Sequence, residues 1–323
     1  MSGFLIGTIF LKTFSDNSGL NDLVYFWKRR WWRTLPNYYL FILINFVGFS
    51  LLKDDFSFDW RYLVFLQNLT NTSEGFFSVS WSLAIEEWFY LTVPLIYLMA
   101  FRISKSKSIA IFSTFSLIII GSLLVRYHYI TSYGSTWNGE IRSVAILRLD
   151  SLIYGVMGAW LWIKRREYLK KLKFPLFLIG LFLIGIGIFI RNSPLLNQEP
   201  LMLLFLFPII SLGISCWLPF LSCWTLREDG QHLPHKWIKN ISLWSYSLYL
   251  VHVPAMEGFR IFILPKIWDD PFLQVLTFVS WLLVAIFASF AIYRFFEKPF
   301  TDLRDGPPDS GWIRSKLSLR AHK

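Results

Sequence analysis

Apolar positions in this chain fall into long runs divided by short polar connections. A bilayer-spanning helix needs about 17 to 25 predominantly apolar residues. Eight stretches meet that length: Pro36–Leu52, Ser78–Phe101, Ser108–Val125, Val144–Ile163, Phe174–Ile190, Leu201–Trp224, Ile241–Leu264 and Pro271–Tyr293. They predict an all-α polytopic transmembrane bundle of eight full spans. Phe58–Leu69 is apolar but short, and reads as an interfacial or re-entrant piece. Met1–Leu11 gives only half a crossing before Lys12, and it lacks the basic start and cleavage site of a signal peptide. A chain that reaches Lys12 from the far side needs a whole crossing, so the pattern predicts a segment upstream of Met1. Residues 1–300 read as one transmembrane domain and 301–323 as a tail.

Composition agrees with the pattern. Of 323 residues, 54% are hydrophobic and only 16% charged, where a soluble protein carries about 25% charged. That excludes soluble, disordered and small disulfide-rich classes. The net charge of +11 raises nucleic acid as a partner, and position removes it. Of the 32 Lys and Arg, 24 lie in Lys12–Leu35, Arg102–Lys107, Lys164–Lys173, Thr225–Asn240 and the tail after Tyr293. The connections between these hold few. Cytoplasmic loops carry the Lys/Arg excess, so the alternation predicts a multi-pass inner (plasma) membrane protein with a cytosolic C-terminus. Cys216 and Cys223 lie seven apart on one helical face and read as small buried thiols; two ligands are too few for a metal site.

Ionisable residues inside apolar runs are expensive and mark candidate sites. Glu86 lies in Trp81-Ser82-Leu83-Ala84-Ile85-Glu86-Glu87-Trp88-Phe89-Tyr90, where Ser82, Glu86, Phe89 and Tyr90 share a helical face. Glu87 points about 100° away and is expected at an edge. Tyr90 and Ser82 are local partners for Glu86; a helix-packing cluster with an aromatic belt fits the same residues. His252, in Tyr246-Ser247-Leu248-Tyr249-Leu250-Val251-His252, is the one histidine of five in the middle of an apolar run. A neutral imidazole there serves as a base or nucleophile, or simply as a bond between helices. Arg148 and Asp150 are two apart and do not face each other, so each needs a partner elsewhere. They read as helix-end charges or as the mouth of an outward-facing cavity. Arg29, Arg30 and Arg33, among Trp27, Trp31 and Trp32, can fork onto phosphate, with Trp rings to stack on a purine. The same cluster also suits a topology signal or anionic lipid.

Taken in order, these pieces resemble the acyltransferase 3 family of membrane proteins, which modify cell-surface and secreted glycans. The likeness rests on Gly3-Phe4-Leu5-Ile6, Arg29-Arg30-Trp31-Trp32-Arg33-Thr34-Leu35-Pro36 (with Thr34 where Ile is usual), and Trp81-Ser82-Leu83 with Glu86, Phe89 and Tyr90. It continues through Arg148, Asp150, Leu152 and Gly155, the Tyr246–His252 segment and Phe295-Phe296-Glu297-Lys298-Pro299. The resemblance implies about ten helices, no bound cofactor, and an acyl-CoA (acetyl-CoA) co-substrate on the cytosolic side. It implies transfer of an acyl group, in the first place acetyl, to a sugar hydroxyl of a surface polysaccharide or lipid-linked glycan at the outer face. The family's first helix carries a His central to transfer, and no segment here matches that helix.

On that basis Arg29, Arg30 and Arg33 are expected to hold the CoA phosphates, and Glu86 to orient or polarise the reacting groups. His252 is a supporting catalytic candidate. Trp81, Tyr90, Arg148 and Asp150 are expected on the acceptor side, with lipids around the bundle. A glycan or lipid transporter or flippase is the alternative, since buried carboxylates and Arg also line transport paths. A further alternative is a fragment whose fold survives without its chemistry.

Overall fold

In a computed structural model of the chain, residues 1–14, 19–52, 55–72, 75–134, 136–223, 233–263 and 271–305 are described. His232, Trp224, the connection at 265–270 and the tail beyond 305 lie outside them. Among the described residues all regular structure is helical. The helices are α1 (Ser2–Thr13), α2 (Leu20–Leu52), α3 (Ser80–Ser104), α4 (Lys107–Tyr133), α5 (Asp150–Lys171), α6 (Lys173–Asn192), α7 (Pro200–Ser222), α8 (Leu233–Phe262), α9 (Pro271–Ile292) and α10 (Lys298–Asp305).

Among the described residues six segments are long and apolar enough to cross a membrane: α2, α3, α4, α6, α7 and Phe272–Leu303, which runs from α9 into α10. The expected spans in α5 and α8 are helices of 22 and 30 residues that fall short on apolarity. The cause is visible in their sequences: α5 ends in a run of Lys and Arg, and α8 intersperses Ser, His, Lys, Arg and Glu among its apolar residues.

Two boundaries also differ from the sequence pattern. The basic stretch before Pro36 is helix from Leu20 onward, with Pro36 inside it. At about 1.5 Å per residue α2 is ~50 Å long, more than a hydrocarbon core needs, so the arginine-bearing first turns can stay in water. In the other direction, Val144–Leu149 is not α-helix. The Ala145 and Ile146 amides donate to the Asn68 and Leu69 carbonyls, and a short 3₁₀ turn covers Ala145–Leu147. Helix α5 therefore begins at Asp150.

The chain divides into two compact units, Met1–Trp27 with Phe58–Arg227, and Lys28–Ser57 with Glu228–Lys323. In the first unit α1 packs on α5, α3 on α4, and α7 on α4, α5 and α6. The α1–α5 crossing is set by glycines. A Cβ on Gly3 would lie 2.1 Å from the Leu152 carbonyl oxygen, and one on Gly155 would lie 2.7 Å from the Phe4 nitrogen. Gly3 and Gly7 are four apart, the spacing that lets two backbones approach closely. Around that crossing Ile6, Phe10, Phe26, Phe89, Tyr97 and Ile153 form a buried core. In the second unit α8 packs on α9, and a π turn over Tyr293–Glu297 links α9 to α10.

Candidate functional site

In the first unit Glu86 sits on α3, half-buried, and its Oε2 accepts a 2.7 Å hydrogen bond from the Tyr90 hydroxyl one turn on. Tyr90 itself is buried, and its carbonyl accepts from the Trp27 indole N–H at 2.9 Å. A carboxylate held by a phenol and partly open to its surroundings can exchange a proton or orient a hydroxyl. Glu87, expected at an edge, is instead the more buried of the two acids at 9% exposed. The reason is that α3 is covered on several sides, with Leu83, Ala84, Ile85, Phe89, Tyr90 and Val93 all buried.

Asp150, the first residue of α5, is wholly buried. Its Oδ1 accepts from Arg126 Nη2 at 2.7 Å, and neither side chain is exposed. Arg126 also donates through Nε to the Leu147 carbonyl at 3.0 Å and through Nη1 to the Leu204 carbonyl at 2.8 Å. Arg126 thus holds down the carbonyl that would otherwise be left at the irregular entry to α5. Sequence reasoning missed this residue because it follows directly on an apolar run, where an Arg usually marks the edge of a span.

Arg148 takes a different route. Its guanidinium lies 3.8 Å from the Phe207 ring centroid and 5.5 Å from that of Trp81, and Nη1 donates to the Arg142 carbonyl at 2.8 Å. Arg142 lies 5.7 Å from the same Trp81 ring. The first unit therefore brings Trp81, Arg148 and Asp150 into one neighbourhood joined by Arg126, Arg142 and Phe207. A cavity of about 70 Å³ near the start of α5 is lined by Gly3, Ser151, Gly155, Ser211 and Ser215. A larger one of about 150 Å³ is apolar, with Phe4, Met157, Trp162 and Cys216 in its wall. Cys216 and Cys223 are free and only half-buried.

The remaining candidates belong to the second unit. Arg29 and Arg33 are exposed on α2 and Arg30 is half-buried. Four residues after Arg33 on the same face, Asn37 enters a buried polar network that sequence reasoning did not foresee. Asn37 Nδ2 donates to Glu297 Oε2 at 2.9 Å and to Ser247 Oγ at 3.2 Å, while Ser247 donates to the same Glu297 oxygen at 2.6 Å. Arg33 acts electrostatically on Glu297. Tyr246 donates to the Thr34 carbonyl at 2.9 Å, so the segments around 34–37, 246–247 and 297 are bound together.

His252, half-buried on α8, has Nδ1 2.6 Å from the Tyr249 carbonyl. A carbonyl only accepts, so in the neutral ring Nδ1 carries the hydrogen and Nε2 keeps a free lone pair. That tautomer is competent as a base. No group of three or more metal-binding side chains occurs among the described residues.

The curated relatives are consistent in kind. The chain is 27% identical over 335 aligned positions to the O-acetyltransferase OatA of Staphylococcus aureus strain NCTC 8325, covering 93% of this chain and 51% of that protein. OatA of strain COL matches to the same extent. A protein of strain MRSA252 whose name proposes it as an O-acetyltransferase is 27% identical over 346 positions, covering 98% of this chain and 53% of its own length. The chain thus spans about half the length of the curated relatives it matches. No solved structure matches it significantly. The profile of acyltransferase 3, described as an acyltransferase domain, matches residues 1–294, and the chain, a multi-pass membrane protein, belongs to that family.

Proposed function

We propose that this chain is a membrane O-acetyltransferase that moves an acetyl group from acetyl-CoA to a sugar hydroxyl of a surface polysaccharide or lipid-linked glycan. The observation that carries the reading is the Glu86–Tyr90 pair. It is an ionisable carboxyl in a membrane-length helix, bonded to a phenol at 2.7 Å yet only half-buried. Intramembrane acids of this kind are kept for function.

The donor side uses Arg29, Arg30 and Arg33, whose guanidinium forks suit the CoA phosphates. In the transfer the acceptor oxygen attacks the thioester carbonyl, an ester C–O bond forms and the C–S bond breaks. The hydroxyl proton passes to a base and finally to the departing thiolate, which leaves as the CoA thiol. Glu86 orients or polarises the reacting groups, with Tyr90 fixing its carboxylate. His252, with Nε2 free, is a supporting candidate for the proton. Trp81, Arg148 and Asp150 shape the acceptor side. The arginine face of α2 lies in the cytosol of the cell whose inner membrane holds the protein, and the C-terminus lies on the same side.

The test is acetyl transfer from labelled acetyl-CoA to glycan in membranes carrying the chain, compared with Glu86→Gln. Loss of transfer with unchanged membrane insertion is expected. Wild-type transfer by Glu86→Gln removes Glu86 from the site, and glycan movement without thioester consumption replaces the reading with transport.

A further inference from the structure

Trp81 is flanked by two guanidinium groups. The Arg148 and Arg142 guanidinium carbons lie 5.5 and 5.7 Å from its ring centroid. The charges that act on Arg148 come from one acid, Asp150, and two further cations, Arg126 and Arg142. The single acid spends one oxygen elsewhere: Asp150 Oδ1 is 2.7 Å from Arg126, both side chains are fully buried, and Oδ2 has no hydrogen-bond partner. Among the described residues neither Arg142 nor Arg148 forms an ion pair. Arg148 spends Nη1 on the Arg142 carbonyl, and its Nε is buried with no hydrogen-bond partner. An orphaned buried donor on a charged group is costly unless something accepts from it. The cluster is also reachable, since Arg142 is exposed and Trp81 half-buried.

We infer that Trp81, Arg142 and Arg148 form a cradle for an oxyanion carried by the acceptor glycan, a carboxylate or a phosphate ester. Guanidinium groups match both anions in a two-bond fork, and an aromatic ring beside them offers an apolar face to the sugar carbons. Phe207 at 3.8 Å from Arg148 fixes the guanidinium from a second ring. The inference rests on the acetyltransferase reading and adds the acceptor's chemical class, an anionic sugar.

The experiment has two arms on the purified full chain. In the first, titration calorimetry compares glucose, glucuronate and glucose 1-phosphate. At least one of the two anions binds tenfold or more tighter than glucose. Arg142→Gln weakens that binding fivefold or more without moving the thermal unfolding midpoint, because Arg142 is exposed. Arg148→Gln abolishes it, and Arg148→Lys recovers part of it. Equal binding of glucose, or anion binding untouched in both Gln variants, overturns the cradle. The second arm measures acetyl transfer from labelled acetyl-CoA to neutral and to anionic oligosaccharides. Equal transfer to both overturns the cradle and leaves the acetyltransferase reading standing. Anion binding lost with Arg148→Gln but no transfer to any acceptor upholds the cradle and overturns the acetyltransferase reading instead.

Discussion

Arg126 and Asp150 are 24 residues apart in sequence and 2.7 Å apart in the fold, and neither side chain reaches solvent. Each is therefore the other's substitute for water. Removing one partner of a buried pair strands the other charge, which costs about 3–5 kcal/mol, whereas replacing both by apolar residues of similar size is often near neutral. Arg126→Met and Asp150→Leu are each expected to lower unfolding stability in detergent by that order. The double variant should lose clearly less than the two losses combined. Additive losses would mean that the Leu147 and Leu204 carbonyls, not Asp150, are what Arg126 is there to satisfy.

The glycines at the α1–α5 crossing give a prediction with its own control. A Cβ on Gly155 would meet the backbone of Gly3 and Phe4 at 2.7–2.9 Å, and backbone atoms cannot rotate out of the way. Gly155→Ala should therefore push α1 from α5, with an overpacking cost of about 1–3 kcal/mol. Gly121 lies in α4 with nothing within 4 Å of its Cβ position. Gly121→Ala should raise stability by roughly 0.5–1 kcal/mol through helix propensity alone. Chemical denaturation of the two variants side by side checks the pair; a neutral Gly155→Ala would show that the crossing tolerates separation.

In the second unit, one oxygen of Glu297 receives hydrogen bonds from both Asn37 and Ser247. Ser247→Ala removes one of the two donors to that carboxylate and should cost about 1–3 kcal/mol. Glu297→Leu takes the acceptor from the Ser247 hydroxyl and from one Asn37 N–H, leaving only the Asn37–Ser247 bond, and should cost more than Ser247→Ala. Thermal unfolding gives the order of the two. If Glu297→Leu is the milder change, the network is dispensable and apolar packing holds the three segments.

Much of this architecture can be read from hydropathy, and the exceptions have physical causes. Six of the eight apolar stretches meet the length and apolarity of a span, because period and length are properties of local sequence. The boundary at Asp150 is set by bonds from Arg126 and by those that the Ala145 and Ile146 amides donate to the Asn68 and Leu69 carbonyls, none of which local sequence encodes. For the same reason the need of Asp150 for a distant partner is legible, but the partner's identity is not. Glu87 shows the limit of face arguments, since a helix covered on several sides has no edge 100° from its buried residues. The Asn37–Ser247–Glu297 network joins positions 210 and 260 apart, beyond the reach of any spacing rule. Even so, all three positions lie within or beside the segments that carry the family resemblance.

Arg30 offers a test that separates the proposed donor-binding role of α2 from a charge that only sets topology. It is half-buried between exposed Arg29 and Arg33, and Thr34 Oγ1 donates to its carbonyl at 3.3 Å. Lys keeps the positive charge, and with it membrane orientation, while losing the planar fork that grips phosphate with two parallel bonds. Arg30→Lys is expected to weaken acetyl-CoA binding about tenfold, equivalent to about 1.4 kcal/mol. Membrane insertion and glycan binding should be unchanged. Calorimetric titration of the detergent-solubilised chain with acetyl-CoA, and with desulfo-CoA as a phosphate-bearing control, measures the loss. Equal affinity in wild type and variant would mean that charge alone is used there, and the basic face of α2 would then be an anchor against anionic lipid.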